Sequence, residues 1–211
     1  MRVPKGVTKR RPITVTALLD AALALFAEQG FGATSIPEIC ARAGLTKGAF
    51  YSNFSDKNEL FLALFDREWN LRLERLRQAL PPGRDPVATL SDAALLPSVV
   101  DEADRRWLLV SAEFSLHAVR RPALARMLLE HEARGRAAMA GLLTGALAAA
   151  GRVPVLPVED LTRLIVTVVE GENLHTLTEH AAGHAESTTA RWEIVETLMN
   201  RLSAPGGDTD D

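Results

Sequence analysis

The stretch that most constrains this chain is Thr34–Phe61, TSIPEICARAGLTKGAFYSNFSDKNELF. Ser35 stands three residues before Glu38, just ahead of an apolar run. That spacing lets the serine oxygen accept a first-turn amide while the glutamate reaches back to the serine N–H, so it marks a helix start. Ile36, Ile39, Cys40 and Ala43 then recur at i, i+3, i+4 and i+7, one face of a helix over 36–43. Gly44 is placed to end it, because glycine adopts the left-handed backbone at little cost. Thr46 is placed to cap a second short helix over 47–51, and Ser55 to open a third. Two short helices around a tight turn are the layout of a helix-turn-helix, whose second helix enters the DNA major groove.

The residue types on that second helix suit this role better than an ordinary corner between packed helices. Lys47 can pair with guanine O6 and N7, Gly48 lets a backbone come close, and Ala49 suits a thymine methyl. Thr46, Tyr51, Asn53 and Lys57 are expected on phosphates, with Ser35 and Ser52 as further polar contacts. The competing readings are a core aromatic for Tyr51 and a solvated helix-start lysine for Lys57. The net charge of -3 argues at first against a polyanionic partner, but the distribution reverses this. Residues 1–60 carry eight Lys/Arg against five Asp/Glu, and residues 61–211 carry sixteen against twenty-two. Five of the basic residues lie in the arm Arg2–Arg11, which holds no acid. A basic head on an acidic body fits a molecule that meets phosphate at one end, with salt-sensitive binding.

Residues 18–62 resemble the DNA-binding domain of the TetR/AcrR-type bacterial transcriptional regulators. The first-helix pairs are Leu18-Leu19, Ala21-Ala22, Leu25-Phe26 and Gly30-Phe31. The helix-turn-helix follows as Thr34-Ser35, Ile39, Ala43-Gly44-Leu45-Thr46 and Gly48, and closes with Tyr51-Ser-Asn-Phe54, Lys57 and Glu59-Leu60. Asn53 departs from the frequent histidine or tyrosine, and Cys40 from alanine. The resemblance implies a homodimer on a pseudo-palindromic operator, released by a small-molecule effector held in the C-terminal helices. It points to phosphate contacts for Tyr51 and Lys57.

Proline, glycine and apolar periodicity predict an all-α chain of about nine helices. They fall near 14–29, 36–43, 47–51, 55–80, 86–97, 101–119, 122–151, 158–181 and 188–202. Residues 1–60 are expected to form the DNA-binding domain with its basic arm, 61–203 a helical ligand-binding and dimerisation domain, and 204–211 a disordered acidic tail. Leu18, Ala22, Leu25 and Phe26 are expected to pack on Ile39, Leu45, Phe50 and Phe54. Two apolar stripes near the C-terminus suit a two-fold interface: Leu161, Ile165 and Val168, then Trp192, Val195, Leu198, Met199 and Leu202. Candidate effector-pocket residues are Trp69, Trp107, Glu113, Phe114, His117, Met127, Leu143, Val169, Glu170 and Asn173.

Other classes find less support. No nucleophile–base pair or phosphate-cradling glycine loop suggests an enzyme, and no metal or cofactor is expected. Glu113 with His117, or His180 with His184, are pairs lacking a third ligand nearby. A non-specific or architectural DNA-binding protein would need basic charge over the body, which is acidic. The chain lacks an uncharged run of about 18 apolar residues, so no membrane span is expected. One cysteine fits a reducing cytoplasm, and Cys40 on an apolar face reads as a packed side chain.

Overall fold

The computed structural model describes residues 10–79, 102–183 and 188–205; within the last stretch the side chains of 188–193, Val195 and Pro205 lie outside the description. The basic arm before Arg10, the element expected near 86–97 and the tail after Pro205 therefore fall outside the described residues, as do the side chains of Trp192 and Val195. The helices are α1 (Arg10–Gln29), α2 (Ile36–Arg42), α3 (Lys47–Tyr51), α4 (Lys57–Ala79), α5 (Glu102–Val119), α6 (Pro122–Ala149), α7 (Val158–Ala181) and α8 (Thr188–Leu202). The chain is all-α, with one small addition that periodicity did not announce. Arg152–Pro154 (β1) pairs antiparallel with Ser203–Pro205 (β2), Val153 opposite Ala204. Ala204 and Pro205, expected in a disordered tail, thus stand in a strand. The Arg152 guanidinium holds this ribbon by donating to the Ser203 Oγ and carbonyl, both at 2.9 Å.

The chain forms two compact units. One lies within Met1–Arg67 and Leu109–Leu128, the other within Glu68–Leu108 and Leu129–Asp211. This divides α4 and α5 between units, whereas the sequence suggested a single cut after residue 60. The reason is burial in the first unit: Val110, Phe114 and Ala118 of α5 are all covered. Phe114 stacks face to face on Phe61, at an interplanar angle of 8°, and meets Phe31 edge-on. Phe26, Phe31, Phe61 and Phe114 make an aromatic cluster under α1 and α4.

The helix-turn-helix core forms as its spacing predicts. Leu18, Ala22, Leu25, Phe26, Ile39, Phe50 and Phe54 are buried, while Leu45 is half-buried. A stretch of α1, Arg11–Gln29, is long and apolar enough to cross a membrane by composition, with a mean hydropathy of 1.2. Its apolar face is the one that packs this core.

The second unit is built around Leu76, Leu143, Leu147, Leu161, Ile165, Val169 and Met199. Here α4 and α6 approach so closely that a Cβ on Gly135 would lie 2.6 Å from the Trp69 ring. Gly135 thus keeps a regular helix conformation and serves packing. A buried ion cluster lies nearby in sequence. Arg72 donates to the Glu68 carbonyl (2.9 Å), sits 3.7 Å from Asp104 and faces the Trp107 ring at 5.3 Å. Burial lowers its pKa to about 10 despite the two carboxylates.

Candidate nucleic-acid interface

The recognition segment begins with two caps that form as their spacing requires. Ser35 Oγ accepts the Glu38 N–H at 3.4 Å, and the Glu38 carboxylate accepts the Ser35 N–H at 2.8 Å. α2 ends at Ala43 in a left-handed turn at Gly44 (φ 65°). The Leu45 N–H reaches the Cys40 carbonyl at 2.8 Å, and the Gly44 N–H reaches Ala41 at 3.1 Å, which closes the helix and aims the next one. Thr46 Oγ1 then accepts the Ala49 N–H at 3.1 Å and starts α3. Behind these caps, Cys40 is 3% exposed, and burial pushes its thiol pKa up, so it packs between helices as an unreactive thiol.

α3 buries Phe50 and turns its other residues outward. Thr46, Lys47, Gly48, Tyr51 and Ser52 are exposed, and Ala49 and Asn53 half-exposed. Tyr51 is 58% exposed, with its ring edge-on to Phe50, so it is a surface aromatic and not a core one. Gly48 is more informative still. Its φ is not positive, and an added Cβ would meet only Thr46 Oγ1 at 3.7 Å. Among the described residues nothing calls for glycine there, and its small size would permit close approach from outside.

Other expected contacts are partly engaged within the fold. Ser35 Oγ donates to Glu38 at 2.6 Å, and Ser52 Oγ donates to the Ala49 carbonyl at 2.9 Å. Asn53 Nδ2 also donates to the Ala49 carbonyl, at 2.8 Å, and its Oδ1 accepts from Arg11 Nε at 3.3 Å. Arg11 is exposed in the first turn of α1 and belongs with the candidate phosphate contacts. The acid-free arm was its sequence signal. Lys57 departs furthest from expectation. Its Nζ donates to the carbonyls of Phe31 and Thr34 and lies over the Phe31 ring, 4.4 Å from the centroid. Burial lowers its pKa, partly offset by the negative charges of Glu113 and Glu38. Lys57 is thus an internal brace of the α1–α2 turn.

The helix that follows also differs in detail. Its cap is Asp56, whose Oδ1 accepts the Glu59 N–H at 2.8 Å, while the Glu59 carboxylate accepts the Ser55 N–H at 2.6 Å. The sequence pointed to Ser55 because serine and aspartate cap equally well one residue apart.

The residues expected in an effector pocket are drawn from both units. Glu113, Phe114, His117 and Met127 belong to the first unit. There Phe114 is in the aromatic cluster, Glu113 accepts backbone amides of Phe31 and Gly32, His117 packs against Phe31 with ring centroids 4.7 Å apart, and Met127 is 44% exposed. Trp69, Trp107, Leu143, Val169, Glu170 and Asn173 belong to the second unit. Within it, Leu143 and Val169 are core, Trp107 faces Arg72, and Asn173 is a buried amide. Burial and Glu132 push the Glu170 carboxyl up, although the residue as a whole keeps much of its surface. Among the described residues no group of three His, Cys, Asp or Glu side chains could hold a metal.

The expected dimer stripe is likewise divided. Leu161, Ile165 and Met199 are buried within the chain's own core, because they face α4 and α6 residues Leu76, Leu143 and Leu147. Val168, Leu198 and Leu202 are half-buried. Among the described residues, the large apolar side chains left outward on these helices are Leu164, Leu174 and Ile194.

The comparisons with known proteins agree with this geometry. Residues 18–64 match the family described as bacterial regulatory proteins, tetR family. The chain is 43% identical over 96 residues to the HTH-type transcriptional regulator AcrR of Shigella flexneri, covering 44% of each protein. It is 41% identical over 63 residues to the HTH-type transcriptional activator FasR of Mycolicibacterium smegmatis, covering 29% of that protein. It therefore spans less than half the length of these curated relatives. Among solved structures, a transcriptional regulator from Rhodococcus sp. Rha1 superposes with a TM-score of 0.67 at 26% identity, over 89% of this chain and 97% of that one. Residues 18–64 thus carry the helix-turn-helix domain found in the tetR family of bacterial regulatory proteins.

Proposed function

We propose that the protein is a ligand-responsive transcriptional repressor that binds a pseudo-palindromic operator as a homodimer. The observation that carries the reading is the outward face of α3, where Lys47, Gly48 and Tyr51 stand exposed on a helix anchored by buried Phe50. Lys47 reads base edges, Gly48 admits the groove wall, and Thr46, Tyr51 and Arg11 meet phosphates. A five-residue helix covers few base pairs, so specificity needs two copies about 34 Å apart on successive grooves. The exposed residues Leu164 and Leu174 of α7, with Ile194 of α8, supply an apolar face for the second copy. An effector bound in the second unit would act along α4 and α5, whose chains continue from one unit into the other. A coupling of about 1–3 kcal/mol, roughly 5- to 150-fold in affinity, is enough to release the operator.

The relative FasR is named an activator, so the shared domain leaves the sign of regulation to experiment. Selection from random duplex DNA at near-physiological salt, with the protein's mass in solution measured alongside, tests the reading. An inverted repeat recovered by a dimer supports it. A folded protein that selects no sequence would favour a non-specific binder. Placing the selected site over a promoter then separates repression from activation.

A further inference from the structure

We propose that Glu113 is a positioning residue for DNA binding: from α5 its carboxylate holds the backbone of the α1–α2 turn, and thereby the orientation of the helix-turn-helix. The inference rests on the proposed DNA-binding function. It concerns a residue that touches none of the exposed α3 side chains.

The turn after α1 is built on Gly30, whose φ of 87° directs the following amides away from the helix. The Phe31 N–H donates to Glu113 Oε2 at 2.8 Å and the Gly32 N–H to Oε1 at 3.2 Å. Both oxygens of one ionised group are thus committed to consecutive amides, an arrangement stronger and more directional than neutral hydrogen bonds. The approach depends on glycine, since a Cβ on Gly30 would lie 3.1 Å from Oε1. The same turn is held from its carbonyl side by Lys57, the first residue of α4, which donates to Phe31 and Thr34. Between the two charged groups the Phe31 side chain is fully buried, against Phe26, Phe61, Phe114 and His117.

The consequence for recognition follows from chain order. Thr34 is buried and closes the turn, its Oγ1 donating to the Gly30 carbonyl at 2.7 Å, and Ser35 opens the α2 capping box at the next residue. α2 in turn sets α3 through the hydrogen-bonded Gly44 turn. A carboxylate on α5 therefore fixes where α2 starts. Loss of that anchor would leave the α3 side chains in place on their helix but release the helix-turn-helix from its fixed relation to α5. Sequence-specific binding, which needs both recognition helices in register, should suffer. Non-specific phosphate attraction should not.

The experiment compares full-length wild type, Glu113→Gln and Glu113→Ala on two duplexes of equal length: the one selected by wild type and a mixed-sequence control. Affinity is measured over a range of salt, and amide exchange is followed at Phe31 and Gly32. Glu113→Ala is expected to weaken the selected duplex roughly 5- to 150-fold. The control affinity and the salt slope should stay unchanged, and both amides should lose protection. Glu113→Gln retains one acceptor oxygen and should fall between; it carries the same comparison if the alanine variant does not fold. A folded variant that exposes both amides yet binds the selected duplex as wild type does would overturn the inference. So would equal losses on both duplexes with a changed salt slope, which would indicate a general charge effect. A wild type that selects no duplex would remove the DNA-binding reading itself, and this inference with it.

Discussion

At the scale of single residues, what is missing can be as informative as what is present. Gly48 meets no packing or backbone requirement among the described residues, so its function and its contribution to stability should separate. Gly48→Ala should leave the melting temperature unchanged or raise it, since alanine is favoured over glycine within a helix by about 0.5–1 kcal/mol. Its affinity for the selected duplex should fall at least about tenfold, the cost of about 1.4 kcal/mol at a close approach. Calorimetry and binding on one preparation check both halves, and undiminished affinity would remove Gly48 from the interface. Lys57 shows the limit of residue-level reading. Its type and helix-start position suit a phosphate contact, but the two carbonyls that capture it belong to a turn more than twenty residues earlier. No local spacing encodes that meeting.

At the scale of elements, caps were legible because their partners lie within four residues. The Ser35–Glu38 box and the Gly44 turn could be read from spacing alone, while the choice between Ser55 and Asp56 could not, the two being chemically equivalent candidates. Those caps also predict a pH response. Hydrogen bonds from Ser35 and Ser55 hold the carboxyls of Glu38 and Glu59 below the ordinary value of 4.5. Carboxyls lowered on folding stabilise the protein above their unfolded pKa, and that stabilisation is lost as pH falls through the folded value. Replacing both with glutamine should flatten the acid limb of a stability curve below about pH 4.5. An unchanged limb would place the acid sensitivity elsewhere.

Contacts between elements were less legible. Gly135 reads as a weak point in a long helix, but in the fold it admits the Trp69 ring. Gly135→Ala should therefore destabilise the protein by about 1–3 kcal/mol through overpacking, against the usual helix-propensity gain. Denaturant unfolding of the variant decides the sign. The β1–β2 ribbon was invisible in the sequence because it joins segments about fifty residues apart with three residues each.

At the scale of the molecule, the fold class was legible from periodicity and the position of the helix-turn-helix from the spacing of its caps. The division into units was not, because α5 contributes Phe114 and Glu113 to a domain that the sequence appeared to complete by residue 60. The apolar stripes of α7 and α8 were visible, but their assignment to an interface was too broad. A helix stripe has two sides, and Leu161, Ile165 and Met199 take the inner one. Leu174, 58% exposed, takes the outer. Leu174→Glu should convert a dimer to a folded monomer in sedimentation, with loss of operator binding; a dimer that persists would place the interface elsewhere.

The central claim is that Lys47 on α3 reads bases from the major groove. The most direct measurement is the affinity of wild type and Lys47→Ala for the selected duplex and for each of its single-base-pair variants. The account predicts a loss of about 1–3 kcal/mol on the parent duplex and relaxed discrimination at one position of each half-site, with the remaining positions unaffected. Equal discrimination at every position in both proteins would contradict it.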